Sequence, residues 1–85
     1  MSVYVDQSIW QFKNMIMCHM IADDIKELHK MADLIGIKRK WFQNKKIPHY
    51  DICKTKRKLA IENGAIEIDI REFIKKTKEL QNDKS

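Results

Sequence analysis

Short apolar runs alternate with longer amphipathic stretches along the chain, and the period of each predicts its element. Val3-Tyr4-Val5 is β-branched and aromatic and ends in Asp6, the pattern of a short buried strand with a carboxylate at its C-terminal end. Residues 7–14 scatter Ile9, Trp10 and Phe12 among polar positions and read as a loop whose aromatics cover part of the core. Residues 15–21 form an apolar run broken only by His19, and a run of that length favours a strand. Alternation then sets His19 on one face with Met15, Met17 and Ile21, and Ile16, Cys18 and Met20 on the other. A helix begins at Asp23 or Asp24, where Asp24 and Glu27 have capping-box spacing. Its buried stripe is Ile25, Leu28, Ala32 and Ile35, flanked by Met31, and Gly36 stops it. His29 falls about 40° from Ile25 around this helix, at the edge of the stripe and at least half covered.

Residues 37–43 suit a turn of helix, with Lys38-Arg39-Lys40 outward and Trp41-Phe42 as an anchor. Pro48 forces Ile47 towards extended backbone, and residues 49–52 continue as an extended segment or short strand. Two residues apart on such a segment, His49 and Asp51 point to the same side. A second helix spans 54–63 with Leu59 and Ala60 inward and Gly64 as terminator. Residues 65–68 are β-like, and Asp69 with Glu72 caps a last helix whose inner face is Ile70, Phe73, Ile74 and Thr77. The pattern predicts one compact domain over residues 1–80, with 81–85 as a frayed tail. Its fold class is α/β or α+β: a three- or four-stranded sheet containing 3–5, 15–21 and 65–68, covered by about three helices.

Composition narrows this picture. Eighty-five residues support one core, because a chain of this size buries only roughly 60 to 65% of its unfolded surface. At 44% hydrophobic and 34% charged, the chain has the balance of a soluble globular domain. No apolar run approaches the ~18 residues of a membrane span, and the first residues lack a signal-peptide pattern, so a cytoplasmic location with no membrane partner is expected. Cys18 and Cys53 belong to no Cys-x-x-Cys pair and are expected as buried, inert free thiols. The net charge of +5 is concentrated: residues 38–58 hold nine Lys or Arg against the single acid Asp51. Such a window suits a polyanionic partner.

The polar residues narrow the chemistry further. His19, His29 and His49, with Asp6 and Asp51, supply enough donors for a two-His plus carboxylate metal site, although no His-x-x-x-His motif is present. Cys18 and His19 do not form a dyad, since neighbours on a strand face opposite ways. Without a glycine-rich loop, phosphate must be held by side chains and helix N-termini. The start of the second helix offers both, with Lys56 and Arg57 beside it. Trp41, Phe42 and Tyr50 interleaved with the basic window also fit single-stranded nucleic acid.

Several signatures occur together: Val3-Tyr4-Val5-Asp6 with Trp10; Cys18-His19-Met20-Ile21-Ala22-Asp23; Glu27-Leu28-His29; Leu34-Ile35-Gly36; Trp41-Phe42-Gln43; His49-Tyr50-Asp51; Lys56-Arg57 with Ala60; and Gly64-Ala65. In this combination, from about Val3 to Ile74, the chain resembles a family of small phage and bacterial domains of unknown function. The resemblance implies that Asp6, His19, Asp23, His29, His49, Tyr50 and Asp51 belong to the family's polar pattern, and it implies no activity. Relatives tend to carry Ser or Thr and then Pro ahead of the second helix; Cys53-Lys54 in their stead implies a weaker cap. The leading expectation is a non-catalytic or weakly catalytic protein that recognises a phosphate-bearing, nucleotide-like molecule. In a phage setting it would sequester a signalling nucleotide in the host cytoplasm. Its site would draw on Asp6, Trp10, His19, Asp23, His29, Trp41, His49, Tyr50, Asp51, Lys56 and Arg57, with no cofactor and with homo-oligomerisation left open. One alternative is a metal-dependent hydrolase or nuclease in which His19, His29, His49 and Asp51 hold a divalent ion near Asp6. The other is a nucleic-acid-binding domain that uses the 38–58 window.

Overall fold

Strand β3 (Met15–Ala22) is the spine of the molecule, because its eight residues carry ladders on both edges. One edge pairs with β4 (Tyr50–Cys53) antiparallel, in the register Met17 to Cys53, Cys18 to Ile52, His19 to Asp51 and Met20 to Tyr50. The other edge takes β1 (Val3–Val5) along 20–22 and β2 (Trp10–Phe12) along 15–17, both antiparallel. Strand β5 (Ile66–Glu67) joins β1 in parallel. The body is thus a mixed four-stranded sheet in the order β5-β1-β3-β4, lengthened by the short β2, with helices α1 (Ile25–Leu34), α2 (Lys54–Glu62) and α3 (Ile70–Asn82). This is an α+β fold. The structure, a computed structural model, describes residues 2–7, 10–12 and 15–82, with the backbone alone at 10–12, 15, 70 and 80–82.

Residues 7–14 do not form the expected loop throughout, since Trp10–Phe12 pairs with β3. Three residues are too few for periodicity to register, and the ladder comes from the neighbouring strand. Ile9 and the side chain of Trp10 lie outside the described residues. Helix α3 runs to Asn82, and 83–85 also lie outside them.

The period-2 alternation of β3 and β4 divides the interior. Val3, Val5, Cys18, Met20, Tyr50 and Ile52 face Leu28, Met31, Ala32 and Ile35 of the α1 segment and Ala60 of α2, forming the main core. On the opposite face Tyr4, Ile21 and Ile68 pack with Ile47 and Phe73, the latter from α3. His19 and Asp51 alternate onto this second face. Ile25, assigned to the buried stripe, is 43% exposed: it is the first residue of α1, where the stripe has not yet reached the sheet. Cys18 is buried as expected, whereas Cys53, at the strand-to-helix junction, is only partly so.

Local chemistry explains the helix ends. Asp24 accepts the Glu27 N–H at 2.8 Å and Asp69 accepts the Glu72 N–H at 2.9 Å, so each carboxylate satisfies an orphan donor of a first turn. Cys53 caps α2 without a side-chain hydrogen bond, leaving that N-terminus the least satisfied of the three. Gly36 follows α1 at φ +79°, and a Cβ there would meet the Lys56 ammonium at 3.1 Å. Among the described residues no helix is long and apolar enough to cross a membrane.

Candidate functional site

The polar site grows out of the end of β1. The Asp6 N–H donates to the His19 carbonyl at 3.2 Å, continuing the ladder past Val5. The reciprocal bond is made by the side chain: Asp6 Oδ1 accepts the His19 N–H at 2.8 Å. This substitution frees the Asp6 carbonyl, which accepts from Arg57 Nε at 3.1 Å. Asp6 Oδ2 lies 2.8 Å from His19 Nδ1. A carboxylate with no solvent exposure is costly unless its oxygens are satisfied, and here both are. The hydrogen bond to Asp6 raises the pKa of His19, with burial opposing it.

Across the β3–β4 ladder His19 faces Asp51, and the pleat brings His49 to the same side. Gln43 and His49 exchange backbone hydrogen bonds at 2.9 and 3.2 Å, closing the loop that contains Pro48. His49 Nδ1 bonds the Ile47 carbonyl at 2.8 Å, and a carbonyl only accepts, so Nδ1 carries a proton. Asp51 Oδ2 accepts from the Gln43 side-chain amide. Its Oδ1 is buried with no hydrogen-bond partner among the described residues. His49 Nε2 lies 3.4 Å from that oxygen, within ion-pair reach but without hydrogen-bond geometry. The His19 ring stacks on Phe73 at 5.2 Å and meets the His49 ring edge-on at 5.5 Å, which fixes its plane. One ligand atom from each of His19, His49 and Asp51 lies within 4.8 Å of the other two.

His29 does not join this cluster. Its Nδ1 is 2.7 Å from the Tyr50 hydroxyl, and Phe42 packs on both rings. Tyr50 is fully buried, and burial raises its pKa. The pair belongs to the main core, where it satisfies a phenol that would otherwise lose a partner. Asp23 also lies apart, accepting the Ser2 N–H at 3.0 Å and the Tyr4 hydroxyl at 3.4 Å, a clasp at the start of β1. Cys18 is pushed up to about 12, chiefly by burial and then by the Asp6 charge, so it is no nucleophile.

Beyond Asp51, at the β4 edge, lies a cavity of about 730 Å³. Lys38, Lys40, Trp41 and Lys56 line it together with Gln43 and Asp51. Trp41 is 61% exposed, with the Lys40 ammonium 5.4 Å from its ring centre. Lys56 is steadied by donating to the Ile35 carbonyl at 2.7 Å. Arg57 is not among the residues lining this cavity; its Nη2 donates to Glu67 at 2.6 Å, bracing α2 against β5.

The pattern of a protein family of unknown function, DUF4031, matches residues 3–80. The chain belongs to that family. No curated protein and no solved structure matches it. Membership of DUF4031 accords with the resemblance carried by the sequence signatures, and the site has to be read from its own geometry. Of the expected site residues, Asp6, His19, His49 and Asp51 come together, with Arg57 bound to the Asp6 carbonyl and to Glu67; Trp41 and Lys56 line the adjoining cavity; His29 with Tyr50, and Asp23, are engaged elsewhere. Sequence reasoning passed over Gln43 as a site residue, although it follows Trp41-Phe42 directly. Lys38 and Lys40 were visible only as part of a charge run.

Proposed function

We propose that this DUF4031 domain binds a small phosphate-bearing, nucleotide-like ligand in the cavity beside Asp51. The supporting observation is one cavity lined by an exposed tryptophan, three lysines and the Gln43–Asp51 amide–carboxylate pair, beside an apolar wall that includes Met17, Ile37 and Ile52. Its volume, about 730 Å³, falls within the roughly 300–1,000 Å³ of small-molecule sites. Trp41 offers a face for a base, Lys38, Lys40 and Lys56 offer charge for phosphate, and Gln43 with Asp51 offers hydrogen bonds to a base or sugar edge. The three lysines contribute point charges without the fork geometry of arginine, so discrimination among ligands falls to Trp41, Gln43 and Asp51.

A thermal-shift panel of nucleoside mono-, di- and triphosphates and dinucleotides tests this reading. At one hundred times Kd a true ligand stabilises by about 2.7 kcal/mol, on the order of 10 °C for a domain of this size. Trp41→Ala, at an exposed position, is expected to keep the fold and lose the shift. A panel without any shift, and no ligand released when the purified protein is denatured, contradicts the proposal. A shift given only by oligonucleotides, with affinity falling steeply as salt rises, points instead to nucleic acid.

A further inference from the structure

The second face of the sheet holds an electrostatic mismatch that the cavity does not explain. His49 Nδ1 is committed as a donor to the Ile47 carbonyl, so in the neutral ring Nε2 bears a lone pair. That lone pair lies 3.4 Å from Asp51 Oδ1, a buried acceptor that has no donor among the described residues. Two acceptors at this distance repel unless a positive charge lies between them.

The surroundings are those of metal-ligating histidines. Such residues give their second ring nitrogen to a carboxylate or a backbone carbonyl, fixing tautomer and orientation. Asp6 does this for His19 at 2.8 Å, and the Ile47 carbonyl does it for His49 at 2.8 Å. The Gln43 amide holds the other Asp51 oxygen, orienting the carboxylate. Two ligand atoms about 2.1 Å from an ion at a tetrahedral angle are about 3.4 Å apart, the spacing of His49 Nε2 and Asp51 Oδ1. The His19 ligand atom lies within 4.8 Å of both.

We infer that His19, His49 and Asp51 form a three-ligand site for a divalent first-row transition metal ion of the zinc class, with Asp6 as a positioning residue for His19. Two imidazoles and one carboxylate leave a coordination position open, as in catalytic rather than structural zinc sites. Because Asp51 also lines the cavity, the ion would be one side chain from a ligand bound there. The inference stands apart from the nucleotide reading, since its test uses metal alone.

The protein is stripped with chelator and titrated with Zn2+, bound metal being measured by elemental analysis and calorimetry. One equivalent per chain is expected, with His49→Ala and Asp51→Asn abolishing it, Asp6→Asn weakening it 10- to 100-fold and His29→Gln leaving it unchanged. Co2+ supplies a test that needs no variant: a visible d–d band without a thiolate charge-transfer band is expected. No binding by the unaltered protein, full binding by folded His49→Ala and Asp51→Asn, or a thiolate band marking Cys53 as a ligand would overturn the assignment.

Discussion

Two histidine clusters lie on opposite faces of one sheet, and they differ in whether their polar atoms balance. On the core face His29 and Tyr50 meet at 2.7 Å, donor to acceptor, and Phe42 seals them. On the other face His19, His49 and Asp51 are held as firmly by Asp6, Ile47 and Gln43, yet one carboxylate oxygen is left facing a ring nitrogen. Both clusters contain histidine, an oxygen partner and an aromatic neighbour. Residue type therefore does not separate a structural histidine from a candidate ligand; the donor–acceptor balance does.

The comparison can be broken by removing single groups. Asp6→Ala should cost most, about 3 kcal/mol, because the His19 N–H and imidazole both lose their acceptor in a partly buried position; chemical denaturation measures it. On the core face Tyr50→Phe or His29→Leu should each cost about 2 kcal/mol by orphaning the partner, while the double variant costs less than the sum of the two. Asp51→Asn should do the reverse in metal-free protein, stabilising by about 1 kcal/mol, since its new amide can donate to His49 Nε2. A loss of stability in that variant would mean that the two faces do not differ in the way described.

The smaller tests use pH and thiol chemistry. Cys18, pushed up to about 12, should resist alkylation in the native state while Cys53 reacts. Its folded pKa is raised, so its contribution to stability is complete below the unfolded value of about 9 and is lost as pH rises from there towards 12. Glu67 is shifted the other way, downward, first by its hydrogen bond to Arg57 and then by that to Gln7. Its contribution is present above the unfolded carboxylate value and fades as pH falls through the folded one. This pair is exposed on the Glu67 side, so Glu67→Gln should change the melting temperature least of all.

The sequence carried the local half of this arrangement. Capping boxes at Asp24 and Asp69, the alternation that separates His19 from Cys18, and the shared side of His49 and Asp51 follow from spacing within one element. What it did not carry is register. Whether His19 meets Asp51 depends on how β3 aligns with β4, and a shift of one residue would set His19 against Ile52 or Tyr50. The same limit hid the partners of His29 and Arg57. A helix-edge position predicted that His29 would be half covered without indicating Tyr50, 21 residues away. Arg57 reads as a phosphate cation until the freed carbonyl of Asp6 and the Glu67 carboxylate are seen to hold it. Gln43 stood in the Trp41-Phe42-Gln43 signature without a role, because its role arises only when the loop closes on His49.

Long-range proton–nitrogen NMR of the three imidazoles, recorded before and after one equivalent of Zn2+, tests the contrast between the two faces most directly. The account predicts a proton on His49 Nδ1, zinc-induced shifts at Nε2 of His19 and His49, and an unchanged His29. Imidazoles of His19 and His49 indifferent to zinc, or shifts confined to His29, would contradict it.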